Sequence, residues 1–207
     1  KRARNVLEGE QSYDEDLWSQ IVEMGFTATT IPEEYGGLGL GYLELCVIAE
    51  ELGRSLAPTP FSSSVYMATE AILQGKEDSV KQAYLPGLAN GEKIGAFAHS
   101  ESNTSPTESN IECSFIDGKL SGSKIAVVDG DIANFYVVTA KNSSSVGIYL
   151  VDASSDGLEV STQSTLDPSR SHASISFKNS PCVELQPDWQ SVQDLLDRAA
   201  VLFSFEQ

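Results

Sequence analysis

Several residue types are scarce in this chain, and each scarcity removes a class of function. Its 207 residues include three cysteines (Cys46, Cys113, Cys182) and two histidines (His99, His172). The cysteine count is odd, the spacing is wide and no CxxC pair occurs. Neither a disulfide framework nor a thiolate zinc site is expected. Two histidines are too few for a multi-histidine metal site, and a reducing cytoplasm is the expected setting. Basic residues number 13 against 30 acidic ones, for a net charge of −17. That balance excludes nucleic acid as a general partner, since phosphate backbones need basic patches. It leaves room for a phosphorylated small ligand, which needs only one or two local cations or a helix N-terminus. No run of about 18 apolar residues exists, so no membrane-spanning helix is expected. The opening residues KRARNVLEGE lack the apolar core of a signal peptide. No methionine precedes Lys1, so the natural N-terminus is expected upstream. Repeats and low-complexity linkers are absent too.

What is present suits a folded protein. Apolar residues make up 41%, and the length fits one large or two small domains with a real core. The first ninety residues read as helices. Ser12-Tyr13-Asp14-Glu15 has the form of a capping box, followed by Leu17, Trp18, Ile21 and Val22 at helical spacing, with Gly25 as a stop. Ile31 to Gly39 contains Pro32 and three glycines and cannot be a helix interior. A second helix is expected from Tyr42 to Leu52, capped by Gly53. After Pro58 and Pro60 a third carries Val65, Ala68, Thr69, Ile72 and Leu73 up to Gly75. A fourth runs from Asp78 to Leu88.

From Lys93 the period changes to that of strands. Ile94–Ala98, Ile111–Ile116, Lys124–Asp129, Phe135–Ala140, Val146–Val151, Leu158–Thr162 and Ala173–Phe177 are short apolar runs. Turn signals such as Asp117-Gly118 and Asp129-Gly130 separate them, and spacing near ten residues indicates an antiparallel barrel or sandwich. Pro187-Asp188 opens a last helix with a broad apolar stripe from Trp189 to Phe203. A stripe that broad needs a partner: either it packs on the first domain or the protein continues into a further helical part, and the second is expected. The resulting fold class is α+β multidomain: an all-α domain over residues 1–92, a β domain over 93–186, and over 187–207 the first helix of a C-terminal bundle. At the end of the Ile94–Ala98 strand, His99, Ser100 and Glu101 gather polar groups before a long polar loop, where scaffolds present binding groups. His99 and Ser100 with a distant aspartate suggest a hydrolase triad, but neither G-x-S-x-G nor an oxyanion loop is present.

The order and spacing of several motifs resemble those of acyl-CoA dehydrogenases, over essentially the whole chain. Ile31-Pro32-Glu33-Glu34-Tyr35-Gly36-Gly37-Leu38-Gly39 looks like the family's IPEEYGG(L/M)G signature. Glu50-Glu51-Leu52-Gly53 matches its E-E-L-(A/G) segment, and Tyr84 to Glu92 its Y-L-P-x-L-A-x-G-E element. Phe97-Ala98-His99-Ser100-Glu101 sits where the family has A-x-T-E-P. Leu120-Ser121-Gly122-Ser123-Lys124 is similar to L-N-G-x-K, and Asp129 to Ala133 to N-G-x-x-A-D. Leu166-Asp167-Pro168-Ser169-Arg170 resembles the D-P-(S/T)-R turn of a divergent bacterial subgroup.

The resemblance implies an N-terminal α domain, a middle β domain and a C-terminal four-helix domain cut short here. It also implies FAD as cofactor and α,β-desaturation of an acyl-CoA thioester, by α-proton abstraction and β-hydride transfer to the flavin. Homo- or hetero-oligomers and an electron-transfer flavoprotein or similar acceptor are implied as partners. The base is a carboxylate placed by most members in the third domain, so no residue here is assigned to it. Carried over by position, Phe97, Ala98, His99, Ser100, Ala126, Val127 and Val128 face the flavin. Ser100 replaces the family threonine and keeps its hydroxyl, whereas Ala126 and Val128 stand where the family has tryptophan and threonine. Ser105 stands in for the serine that holds the CoA end. Arg170 offers a guanidinium to a phosphate or carboxylate, or pairs with Asp167 or a partner subunit. Glu101 reads as structural. The altered Ala126-Val127-Val128 strand also suits a non-catalytic structural subunit of a heteromeric dehydrogenase, and another flavoenzyme chemistry on the same scaffold is a third reading.

Overall fold

In a computed structural model, residues 2–8, 11–166 and 168–207 are described. The first part is helical: α1 (Arg2–Leu7), α2 (Glu15–Glu23), α3 (Tyr42–Arg54), α4 (Glu70–Gln74) and α5 (Asp78–Ala89). Short 3-10 turns at Phe26–Ala28 and Glu33–Tyr35 fold the glycine-rich stretch between α2 and α3. Asp14, not Ser12, caps α2, its carboxylate accepting the Leu17 N–H at 2.8 Å. Gly25 at φ 77° turns the chain out of that helix. Glu44 reaches back to the Gly41 N–H at 2.9 Å to start α3.

The expected third helix is correctly placed but differs in kind. Ser62–Thr69 winds as a π-helix that continues directly into α4. The Thr69 hydroxyl donates to the Ser64 carbonyl, five residues back, at 2.9 Å. All eight residues of the π segment are buried. Its apolar spacing therefore cannot mark an inner face, and no periodic signal distinguishes the wider turn.

The β part forms one eight-stranded sheet: β1 (Gly95–Ala98), β2 (Ser114–Ile116), β3 (Lys119–Val128), β4 (Phe135–Lys141), β5 (Val146–Asp152), β6 (Leu158–Gln163), β7 (His172–Pro181) and β8 (Val183–Gln186). The path runs β6-β7-β3-β2-β4-β5-β8, with β1 added to β4. Most pairs are antiparallel as expected, but β1 and β2 each lie parallel to β4. Sequence periodicity also missed β8, a short strand with two exposed residues. Asp117 and Gly118, both at positive φ, make the tight β2–β3 turn.

Strands β4 and β5 are buried on both faces, which explains their near-continuous apolar runs. Tyr136, Val138, Ala140, Tyr149 and Val151 point into a core inside the sheet, with Ala98, Leu120, Val127 and Ile175. Phe135, Val137, Ile148 and Leu150 point the other way, into a larger core shared with the helices. The last helix, α6 (Trp189–Glu206), starts at Asp188, whose carboxylate accepts the Ser191 N–H at 2.9 Å. It packs back along α3 and the π segment through Val192, Leu195, Ala199 and Leu202, and leaves Val201, Phe203 and Phe205 exposed.

Gly95 marks the closest approach of the two layers. A Cβ there would lie 2.4 Å from the Ala68 methyl and 2.5 Å from the Phe135 ring. Gly95→Ala is expected to destabilise the fold by about 1–3 kcal/mol through overpacking, read as a lowered urea midpoint with an unchanged slope.

Candidate functional site

Period two governs what the strands can offer. Along β1, Ala96 and Ala98 turn into the sheet core, while Phe97 and then His99 turn outward and stay half-buried. On β3, Val127 is buried in the same core and Val128 faces out. Side chains of Ala98 and Val127 thus belong to the core, a correction to reading consecutive residues as one ligand-facing row. Ala126 is exposed because β3 bulges between Lys124 and Val127, with Ala126 at φ 52°. Its N–H donates to Gln163 Oε1 at 3.2 Å. Ser100 is half-buried, its carbonyl accepting the Ile125 N–H at 2.8 Å. Ser105 lies on the exposed loop, its carbonyl engaged by Asn110 Nδ2 at 3.0 Å.

Phe97 and Val128 meet at a pocket of about 370 Å³ between the two layers. Ser62, Ser63 and Met67 of the π segment, Phe203 of α6, and Ser169, Arg170 and His172 complete it. Arg170 does not present a free guanidinium. Its Nε donates to Asp129 Oδ1 at 3.2 Å, Nη2 to Asp129 Oδ2, and Nη1 to Ser62 Oγ at 2.8 Å. Ser63 donates its hydroxyl to the same carboxylate. Burial opposes the Arg170 charge, but the Asp129 carboxylate outweighs it and raises the pKa. The partner is therefore Asp129, 1% exposed, with its own backbone at φ 55°; Asp167 lies outside the described residues. A neighbouring cavity of about 350 Å³ shares Ser169 and Arg170 and is lined also by Glu206, whose carboxyl burial pushes up against the opposing pull of Arg170.

Next to the pocket, a second polar cluster sits at the His99 end of β1. Lys124 is fully buried and donates to Glu101 Oε1 at 2.7 Å, the His99 carbonyl at 3.1 Å and Thr139 Oγ1 at 3.1 Å. Glu101 also accepts the N–H groups of Glu112 at 2.6 Å and Cys113 at 3.0 Å, tying down the end of the polar loop. It is a structural residue, as the sequence indicated. Thr139 Oγ1 accepts from Lys124, so its own hydrogen is available to His99 Nδ1, 2.9 Å away. Burial, with Lys124 adding to it, lowers the His99 pKa to about 4. His99 is thus neutral, and its ring stacks between Phe97 and Trp189 at 5.3 and 6.1 Å.

The family model for the N-terminal domain of acyl-CoA dehydrogenase matches residues 1–92. A mitochondrial isovaleryl-CoA dehydrogenase of Arabidopsis thaliana is 34% identical over 140 residues, covering 65% of this chain and 34% of that protein. Residues 1–92 match the N-terminal domain of the acyl-CoA dehydrogenase family, and the chain is similar to members of that family beyond it. Among solved structures, a variant of the Tcur3481-Tcur3483 steroid ACAD superposes with a TM-score of 0.87 at 27% identity, over 99% of this chain and 56% of that one. The ChsE4-ChsE5 complex from Mycobacterium tuberculosis, at 24% identity, shares the fold with a TM-score of 0.76 over 98% of this chain and 54% of that one. The chain spans about a third of the length of the curated relatives it matches.

Sequence reasoning found one wall of the pocket and missed the other. Asp129, Ser62, Ser63, Met67, His172 and Phe203 were not singled out. Three consecutive buried serines after Pro60 were the available signal. The register that sets His172 opposite Val128 leaves no mark in local sequence.

Two outcomes follow. Asp129→Ala leaves a mostly buried guanidinium unpaired and is expected to cost about 3 kcal/mol, more than the Asp129→Ala/Arg170→Met double variant, in a denaturation series. His99 stays neutral in the native state well below its ordinary 6.5, whereas the unfolded chain takes up a proton there. Its stability contribution is full above about pH 6.5 and is lost as pH falls towards 4. His99→Gln should flatten that part of the stability–pH curve by roughly 2–3 kcal/mol, measured by urea midpoints across the window.

Proposed function

We propose that this chain forms the flavin- and acyl-facing wall of an FAD-dependent acyl-CoA dehydrogenase that desaturates a CoA thioester between its α and β carbons. The pocket carries the reading, because residues matched to the family's flavin strands meet there with the π segment and α6. The donors and surfaces on this side suit a flavin. The Ser100 hydroxyl makes no hydrogen bond within the described residues and is free to donate. Phe97, His99 and Trp189 form a stacked aromatic series beside it. When bound, FAD supplies the hydride acceptor.

This chain's own residues position and exclude. Phe97, Val128, Met67 and Phe203 keep water from an apolar acyl group, and Arg170 with Asp129 holds the π segment against the strands. Among the described residues no carboxylate lines the pocket. On this reading the α-proton base comes from a C-terminal part of the protein, as the family resemblance implies. The same feature supports a second reading, a structural subunit of a heteromeric dehydrogenase, and the ChsE4-ChsE5 neighbour is itself a complex. Electron transfer onward to an electron-transfer flavoprotein or similar acceptor and a cytoplasmic setting belong to the same proposal.

The complete protein should carry a visible flavin spectrum that bleaches with an acyl-CoA. Ser100→Ala should weaken FAD binding about tenfold, measured by equilibrium titration. A folded complete protein that takes up no flavin, alone or with a partner subunit, sinks the enzyme reading.

A further inference from the structure

Two polar groups on the pocket wall have hydrogen-bonding capacity left unused among the described residues. Ser62 Oγ accepts from Arg170 Nη1 at 2.8 Å, and the Ser62 hydrogen has no acceptor among the described residues. Arg170 is itself fixed by Asp129, so the Ser62 oxygen is held against a positive charge, which strengthens its O–H as a donor. On the other side, His172 Nδ1 lies 3.1 Å from the carbonyl oxygen of Arg170. A carbonyl only accepts, so Nδ1 carries the hydrogen and a neutral His172 keeps a lone pair on Nε2. Pairing of Val128 with His172 across β3 and β7 puts both side chains on the pocket face. The rest of the wall is mainly apolar: Met67, Phe97, Val128 and Phe203. A donor and an acceptor in such surroundings are costly unless an occupant satisfies them.

We propose that this pocket receives an acyl group whose apolar body bears a hydroxyl or keto oxygen, with Ser62 and His172 as the specificity-determining residues. A ligand hydroxyl uses both, accepting from Ser62 and donating to His172 Nε2. A ketone uses Ser62 alone, and a plain alkyl group uses neither. The volume of about 370 Å³ is at the small end for ligand sites and suits a single ring. This inference rests on the acyl-CoA reading given above.

The test is direct binding, by calorimetry, of cyclohexylpropanoyl-CoA and of its ring-keto and ring-hydroxylated counterparts to the complete protein, with CoA alone as reference. The expected order is hydroxyl tightest, ketone next and plain ring weakest, with about tenfold between the extremes. Ser62→Ala should lower the hydroxyl-to-plain ratio by roughly tenfold, and Ser62→Thr, which keeps the hydroxyl, should restore it. His172→Leu should erase the advantage of hydroxyl over ketone, and it carries the test if the Ser62→Ala protein does not fold. Equal or tighter binding of the plain thioester overturns this proposal and leaves the acyl-CoA reading standing. Variants that weaken all three thioesters equally overturn it as well. Binding of no thioester overturns the acyl-CoA reading, and the proposal with it.

Discussion

The Arg170–Asp129 pair is the contact through which the two layers of this protein are held in register around the pocket. Asp129 sits in a left-handed turn at the end of β3, and Arg170 lies just before β7. The π segment comes from the helical layer. These pieces are far apart in the chain, and a buried guanidinium and carboxylate bring them together with two serine hydroxyls. An ion pair taken out of water is a poor source of net stability. Its effect here is directional: a planar fork that fits one carboxylate in one orientation leaves little freedom in how the π segment faces Phe97 and Val128. The same pair removes Arg170 from the set of groups free to bind substrate phosphate.

Much of the fold was legible in the sequence because local rules and burial agreed. Alternation and turn chemistry placed seven of the eight strands to within about five residues, and Asp117-Gly118 marked its hairpin outright. The apolar stripe after Asp188 gave α6. Departures came where tertiary context overrode the local signal. Asp14 took the cap that Ser12 offered. The π turn escaped detection because every one of its residues is buried. The parallel placement of β1 and β2 on β4 is set by contacts distant in sequence. At the site, motif resemblance singled out Phe97 and Val128, which line the pocket, and His99 and Ser100, which are not among its lining residues. It could not tell which of two adjacent strand residues faces outward, so Ala98 and Val127 were grouped with residues on the opposite face. Arg170 was singled out as a group for a phosphate, a carboxylate or an ion pair, while its partner Asp129, some forty positions earlier, was visible only in three dimensions.

The His99 cluster shows how a polar strand end can be built inside a β layer. Lys124 is buried to the last atom, yet each of its contacts is an acceptor: a carboxylate, a carbonyl and a hydroxyl. One ammonium thereby anchors the polar loop through Glu101 and orients an imidazole through Thr139. The electrostatic result is a neutral aromatic ring stacked between Phe97 and Trp189.

Strands β4 and β5 are buried on both faces, one toward the sheet interior and one toward the helices. Neither layer therefore owns its core. Removing the helices would expose Phe135, Val137, Ile148 and Leu150 to water, and removing the sheet would leave the helices without the surface they close upon. The point near residue 92 where helix gives way to strand is a change in local structure, while the packing continues across it. Cooperativity of unfolding follows from that shared pair of strands: the helical and β layers are bound to lose their order together, as one thermodynamic unit.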